Sequence, residues 1–255
     1  MADPPPDPPH RPPDAAADRQ SVALRVWGDF ACFTRPEMKA ERVSYDVMTP
    51  SAARGVLEAV YWKPEIRWVV HRLRVLNPIR FTTIRRNEVA NKIPERTAAA
   101  AMKAGAGRLG LVIEDDRQQR AATVLRDVAY VIEARFEVLS GRDGWRKHAE
   151  MFARRAARGQ CFHRPYLGCR EWACDFEPAD LSDLRAVPDE LRGARDLGWM
   201  LHDLDFKNGN APHFFRPTMT GGVIEVPRPK WLPPARGAAP RPDVSVPAGG
   251  EGAER

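Results

Sequence analysis

No run of apolar residues in this 255-residue chain is long enough to cross a bilayer, a task that takes about 18 or more. The first residues are proline and aspartate rather than a basic-then-apolar leader, so a soluble, cytoplasmic protein without a membrane partner is expected. Cysteine is scarce: the four residues Cys32, Cys161, Cys169 and Cys174 are too few for a disulfide framework at this length. Cys161, His163, Cys169 and Cys174 carry zinc-type donors, but no Cys-x-x-Cys knuckle sets two of them on one tight turn. Free thiols are the expectation. Also missing are a phosphate-cradling P-loop, a nucleophile elbow, a His-x-x-x-His helix and the aromatic signature of a base-stacking RNA-recognition sheet. No gathering of carboxylates suggests Mg²⁺ or Mn²⁺ beside a phosphate; Asp115-Asp116 lies in a turn-like polar run, and the other acids are scattered or lie near Arg. Neither a metal nor a cofactor is expected.

Basic residues are abundant. Forty Lys and Arg against 34 Asp and Glu leave a formal charge of +6, and the pI is about 9.4. The charge is spread along the chain, which favours a polyanionic partner. With 43% hydrophobic residues the chain can bury one main core with a small appended subdomain. Residues 1–20, mostly Pro, Asp and Ala, and the stretch from 233 to 255 offer little apolar surface and are expected to be a disordered arm and tail.

Between them, residues 23–33 read as a strand with a bulge or close approach at Gly28-Asp29. Thr49-Pro50 opens a helix that must stop by Pro64. Its apolar face is Ala52, Ala53, Val56, Leu57 and Val60, which leaves Tyr61 exposed at the helix end and away from the core centre. Residues 66–81 read as strands broken near Asn77-Pro78, the polar stretch 82–122 as a long inserted loop, and 128–139 as a half-buried strand with Ile132, Ala134, Phe136 and Val138 on one face. A second helix is expected over 144–158, with Trp145, Ala149, Phe152, Ala153 and Ala156 inward, Gly159 as its stop, and Lys147, Met151, Arg154 and Arg158 as a mostly basic stripe. A strand over 169–176 follows, then short pieces in which Trp199, Phe206, Phe214 and Phe215 would make the core of a small β subdomain. This order predicts an α+β, ferredoxin-like domain over 21–165 with the loop 82–122 inserted, and a small antiparallel β subdomain over 166–232.

RNA can be cut without metal by using its own 2′-hydroxyl as nucleophile. A proton acceptor, a proton donor and a cation for the phosphorane charge then suffice. Histidine suits the proton transfers because its ordinary pKa lies near neutrality. His148 beside Lys147 at the start of the basic stripe, with Tyr61 as a third polar group, fits that need; a solvated helix end with a capping aromatic is the plainer alternative and stays open. His71, His163, His202 and His213 read as structural. Arg85, Arg86, Lys92 and Arg96 suit phosphate contact, with a solvated charged loop as the alternative.

Several stretches resemble one family. Residues 30–37 (FACFTRPE), 44–47 (SYDV), 61–64 (YWKP), 84–89 (IRRNEV), 125–130 (LRDVAY), 166–171 (YLGCRE) and 196–201 (DLGWML) are similar, in order, to the type I-C branch of the fifth CRISPR-associated protein family. The resemblance implies a RAMP-superfamily fold: an RRM-like or ferredoxin-like N-terminal domain and a small C-terminal antiparallel β-sheet domain. It implies a metal-independent endoribonuclease that cuts CRISPR precursor RNA within the repeat hairpin and leaves a 2′,3′-cyclic phosphate. The enzyme would then stay on the 5′ handle and join the other subunits of the type I-C surveillance complex. Carried across residue by residue, the family's catalytic group falls on Tyr61, Lys147 and His148. His148 would be acid or base, Lys147 the charge stabiliser, and Tyr61 a positioning or proton-transfer partner. Lys63, Arg85, Arg86, Lys92, Arg154 and Arg158 are expected to bind RNA. Some relatives also bind duplex DNA. Two alternatives remain: a handle-capping subunit that does not cut, and a general basic nucleic-acid-binding module, which would show strong salt dependence and indifference to the repeat hairpin.

Overall fold

The computed structural model describes residues 21–107, 109–140, 143–183 and 186–233. The expected arm and, beyond Pro233, the expected tail lie outside the described residues. The elements run β1 (Val22–Ala31), α1 (Pro50–Val60), β2 (Ile66–Val75), β3 (Phe81–Val89), α2 (Glu95–Ala104), β4 (Arg117–Val138), α3 (Trp145–Ala157), β5 (Asp175–Pro178), β6 (Ala194–Asp196), β7 (Met200–Asp205), β8 (Ala211–Phe215), β9 (Thr218–Thr220) and β10 (Val223–Glu225). One eight-stranded sheet has the order β5-β1-β4-β2-β10-β9-β6, with β3 added on β4, and β7-β8 form a separate hairpin. Its ladders are antiparallel, so the protein is α+β.

β4 organises the core because its alternation turns Tyr130, Ile132, Ala134 and Phe136 to one face, where all are buried. Val70 lies opposite Ala134 and Trp68 opposite Phe136 across the β2 ladder. Ala53, Val56, Leu57 and Val60 of α1, together with Phe152 and Ala156 of α3, join the same buried cluster. Full burial of each large apolar side chain contributes about 1.5–3 kcal/mol. The start of α1 follows its sequence signals: the Thr49 hydroxyl accepts the Ala52 N–H at 3.2 Å, and Pro50 occupies the first turn.

The stretch 82–122 departs from the loop expected of it. β3 pairs with the first part of β4 from Phe81 opposite Leu125 to Val89 opposite Arg117, and α2 caps the excursion. Its residues alternate between exposed and half-buried, so this ladder extends away from the main core. Backbone bonds and ion pairs hold it: Glu88 takes Arg42, Arg86 and Arg120, and Glu171 takes Arg42 and Arg86. A strand pair built this way has little apolar content, and its polarity reads as loop.

The strand expected over 169–176 shrinks to β5, because the preceding segment bonds elsewhere. Phe162 N–H donates to Ala59 at 2.7 Å and Cys32 N–H to Leu167 at 3.0 Å. Gly168, at φ 87°, lies so close to β1's end that a Cβ there would stand 2.0 Å from the Cys32 carbonyl oxygen. Gly28 is the close approach its position suggested, with Ala173 O at 3.2 Å from where a Cβ would lie. In the C-terminal part, Trp199, Phe206 and Phe214 are 64%, 62% and 44% exposed, not core. β7-β8 is a two-stranded ribbon with one face on the body. Met200 and Phe215 pair on that face and Phe214 points away.

Candidate catalytic site

α1 ends at Tyr61, whose extended backbone (φ −151°) still donates its N–H to Leu57. Pro64 forbids further helix. The turn carries the Tyr61 side chain inward, so it is 3% exposed and part of the core, contrary to its expected outward position. The reason lies in the next strand: Trp68 Nε1 donates to the Tyr61 carbonyl at 2.8 Å and fixes the turn against β2.

His148 stands on the first turns of α3 and is 2% exposed, where a wet helix end was the alternative. Phe136 meets its ring edge-on at 5.9 Å and also stacks on Trp145 at 5.5 Å. Ala153, expected inward, is exposed, and His148 takes an inward place instead. The Tyr61 hydroxyl and His148 Nδ1 are hydrogen-bonded at 2.9 Å, while His148 Nε2 has no partner among the described residues.

Lys147 points the other way. Its side chain is 64% exposed, and its Nζ donates to Asp143 Oδ1 at 2.8 Å. That bond lowers the Asp143 carboxyl pKa below its ordinary value and raises that of the Lys147 ammonium. Lys63, exposed after Trp62, adds its field at Asp143. Burial pushes the Tyr61 phenol up; Arg155 and Lys147 pull it down, Asp143 and Glu65 push further up. Tyr61 is therefore a phenol near neutrality, able to donate to Nδ1 but not a ready base.

Sequence reasoning missed three neighbours. Arg155 lies over the Tyr61 ring at 5.3 Å and donates to the Val60 carbonyl at 3.2 Å; it follows His148 by seven residues, two helical turns, which places it on the same face. Glu65 and Asp143 bring carboxylate oxygens within 4.8 Å of a His148 ring nitrogen and of each other. This is the one group of possible metal ligands among the described residues, and the cysteines form none. Its donors could take a divalent cation, but the Lys147 ammonium already sits on Asp143.

The expected RNA-binding residues are dispersed. Lys63, Arg85 and Lys92 are exposed, Arg85 on β3 and Lys92 in the turn after it. Arg154 is exposed on α3, reaching the Met151 sulfur at 2.7 Å, and Arg158 is exposed at the residue that ends it. Arg86 differs: half-buried, it is held by Glu88 and Glu171. No helix among the described residues is long and apolar enough to cross a membrane.

A family model for CRISPR-associated Cas5 proteins, in its Cas5d form, matches residues 21–227. The CRISPR pre-crRNA endoribonuclease Cas5d of Mannheimia succiniciproducens is 56% identical over 217 residues, covering 81% of this chain and 94% of its own. The protein of the same name from Thermus thermophilus is 41% identical over 230 residues, covering 82% and 93%. A solved structure described as a CRISPR-associated protein shares the fold at a TM-score of 0.58 and 23% identity, over 80% of this chain and 90% of its own. The match spans both the Tyr61 turn and the Lys147-His148 helix, and on it the chain belongs to the Cas5 family of CRISPR-associated proteins, type I-C.

Proposed function

We propose that this protein is a metal-independent endoribonuclease that cuts CRISPR precursor RNA within the repeat hairpin. It leaves a 2′,3′-cyclic phosphate and stays on the 5′ handle as a subunit of the type I-C surveillance complex in the cytoplasm. The observation that carries the reading is the 2.9 Å Tyr61–His148 bond beside Lys147, in a chain 56% identical to a named pre-crRNA endoribonuclease. In the reaction the 2′-oxygen loses its proton and attacks phosphorus, and the departing 5′-oxygen gains a proton. His148 is the acid or base, through the Nε2 that its partner leaves free. Tyr61 holds Nδ1 and so orients the ring, and Lys147 meets the phosphorane charge. Lys63, Arg85, Lys92, Arg154 and Arg158, with Arg86 once its carboxylates give way, meet backbone phosphates. Duplex DNA is a further polyanion the same cations would bind.

The proposal includes a ferredoxin-like domain over 21–165 and a small β domain over 166–232. One sheet joins β1, β2 and β4 to β10, β9 and β6, so backbone hydrogen bonds continue across the proposed boundary.

The burial of His148 favours a second reading, a handle-capping subunit that does not cut. One experiment separates the two: full-length protein with its own repeat RNA in EDTA, with both product ends mapped. A single cut ending in a cyclic phosphate supports cleavage; intact RNA held tightly by its handle supports capping; indifference to the hairpin would overturn both.

A further inference from the structure

A second chemically distinctive cluster stands apart from Tyr61 and His148, at the joint between β1, the loop carrying Gly168 and the base of the β3–β4 ladder. Two thiols converge on the Thr34 hydroxyl there, Cys32 Sγ at 3.5 Å and Cys169 Sγ at 3.7 Å. The Cys169 thiol, while protonated, reaches the Cys32 carbonyl at 3.6 Å. Residues 168 and 32 are pressed together, as the 2.0 Å approach to the Cys32 carbonyl oxygen requires. Cys32 is buried and Cys169 half-buried, so Cys169 is the more accessible residue of the two. Arg42 and Arg86 face the pair with positive charge, and both also hold Glu171, two residues after Cys169.

We propose that Cys169 and Cys32 form a redox pair, in which Cys169 reduces a hydroperoxide and Cys32 resolves the product to a disulfide. In the first step the Cys169 thiolate attacks the distal oxygen. An S–O bond forms, the O–O bond breaks, and hydroxide or alkoxide leaves with the electron pair. In the second, the Cys32 sulfur attacks Cys169 sulfenic acid; the S–S bond forms and water leaves with the Cys32 proton. Two electrons pass from the thiols to the peroxide. The asymmetry of the pair suits these roles. Hydrogen bonding from Cys32, against the upward push of burial, then bonding from Thr34 and the fields of Arg42 and Arg86 draw the Cys169 thiol below its ordinary value, whereas the same bond and burial push Cys32 up. The thiolate is the nucleophile. Cys174 is the internal control, since burial pushes it up to about 12.

The test treats the reduced full-length protein with one equivalent of hydrogen peroxide. Free thiols are then blocked with N-ethylmaleimide and peptides mapped by mass spectrometry. A dithiothreitol-reversible Cys32–Cys169 cross-link is expected, with Cys161 and Cys174 recovered as maleimide adducts. Before oxidation, iodoacetamide at pH 7 should label Cys169 about tenfold or more faster than Cys174. The C32S variant should trap Cys169 as a dimedone adduct. Oxidation of Cys161 or Cys174 ahead of Cys169, or a Cys169 that stays fully maleimide-reactive in the folded wild type, would overturn the proposal. A sulfenic acid on wild-type Cys169 without a cross-link removes Cys32 from the pair and overturns it equally. If C32S fails to fold, the wild-type cross-link and labelling order decide alone.

Discussion

His148 and Lys147 are adjacent in sequence and opposite in environment. His148 is 2% exposed, bonded to a similarly buried Tyr61 and met edge-on by Phe136, which itself stacks on Trp145. Lys147 keeps 64% of its side chain in water and answers to Asp143. Neighbours on a helix point about 100° apart, so one motif has a dry half, where packing fixes geometry, and a wet half, where an exposed charge is free to move. The dry half should govern proton transfer and share its fate with the core. The wet half should govern charge stabilisation and leave the core alone.

The largest effect is expected at the dry centre. His148→Ala should lower the single-turnover cleavage rate in EDTA by about 10²–10⁴-fold, the range for a lost general acid or base, while repeat RNA still binds in a filter assay. Undiminished cutting would remove His148 from the mechanism. Lys147→Ala should cost on the order of 10²-fold in rate and move the unfolding free energy by less than about 0.5 kcal/mol, as for exposed positions. A large loss of stability there would erase the contrast between the halves.

Tyr61→Phe sharpens it from the other side. His148 Nδ1 would be left buried without its partner, a loss of about 1–3 kcal/mol in urea unfolding, with a rate falling about tenfold as the ring loses its orientation. An alkaline signature accompanies it. Burial raises the Tyr61 phenol above its ordinary value of 10.0, so the folded state holds that proton more tightly than the unfolded chain. The associated stability is fully present below pH about 10 and is lost as pH rises through the folded value. Urea midpoints measured between pH 9 and 11 should therefore fall less steeply in Tyr61→Phe than in the wild type.

How much of this was legible follows from the range of each contact. α1 could be read because Thr49-Pro50 and the spacing of Ala53, Val56, Leu57 and Val60 are local signals. The end of β4 could be read because Ile132, Ala134 and Phe136 alternate. The burial of Tyr61 could not, since its hydrogen-bond partner His148 lies 87 residues away and the Arg155 over its ring stands on the same distant helix. Family resemblance named Tyr61, Lys147 and His148 as a group, whereas residue chemistry alone left a wet helix end open as the plainer alternative. The β3–β4 ladder escaped because arginine, glutamate and glutamine line it. Its stability rests on cross-strand charge and backbone pairing rather than on the apolar alternation that marks a strand.

The smallest expected effect isolates the scaffold from the site it carries. Thr49 caps the far end of the helix that delivers Tyr61, accepting one N–H of the first turn. Thr49→Ala should cost about 1 kcal/mol of stability, as cap removal does. Because α1 is also pinned by Val56, Leu57 and Val60 in the core and by the Trp68 bond at Tyr61, loosening its first turn should leave the Tyr61–His148 distance unchanged. Cleavage at 25 °C should then match the wild type within a factor of about two, since a domain 1 kcal/mol weaker is still overwhelmingly folded. A rate that fell in step with stability would mean that the buried half depends on the whole helix rather than on its own packing.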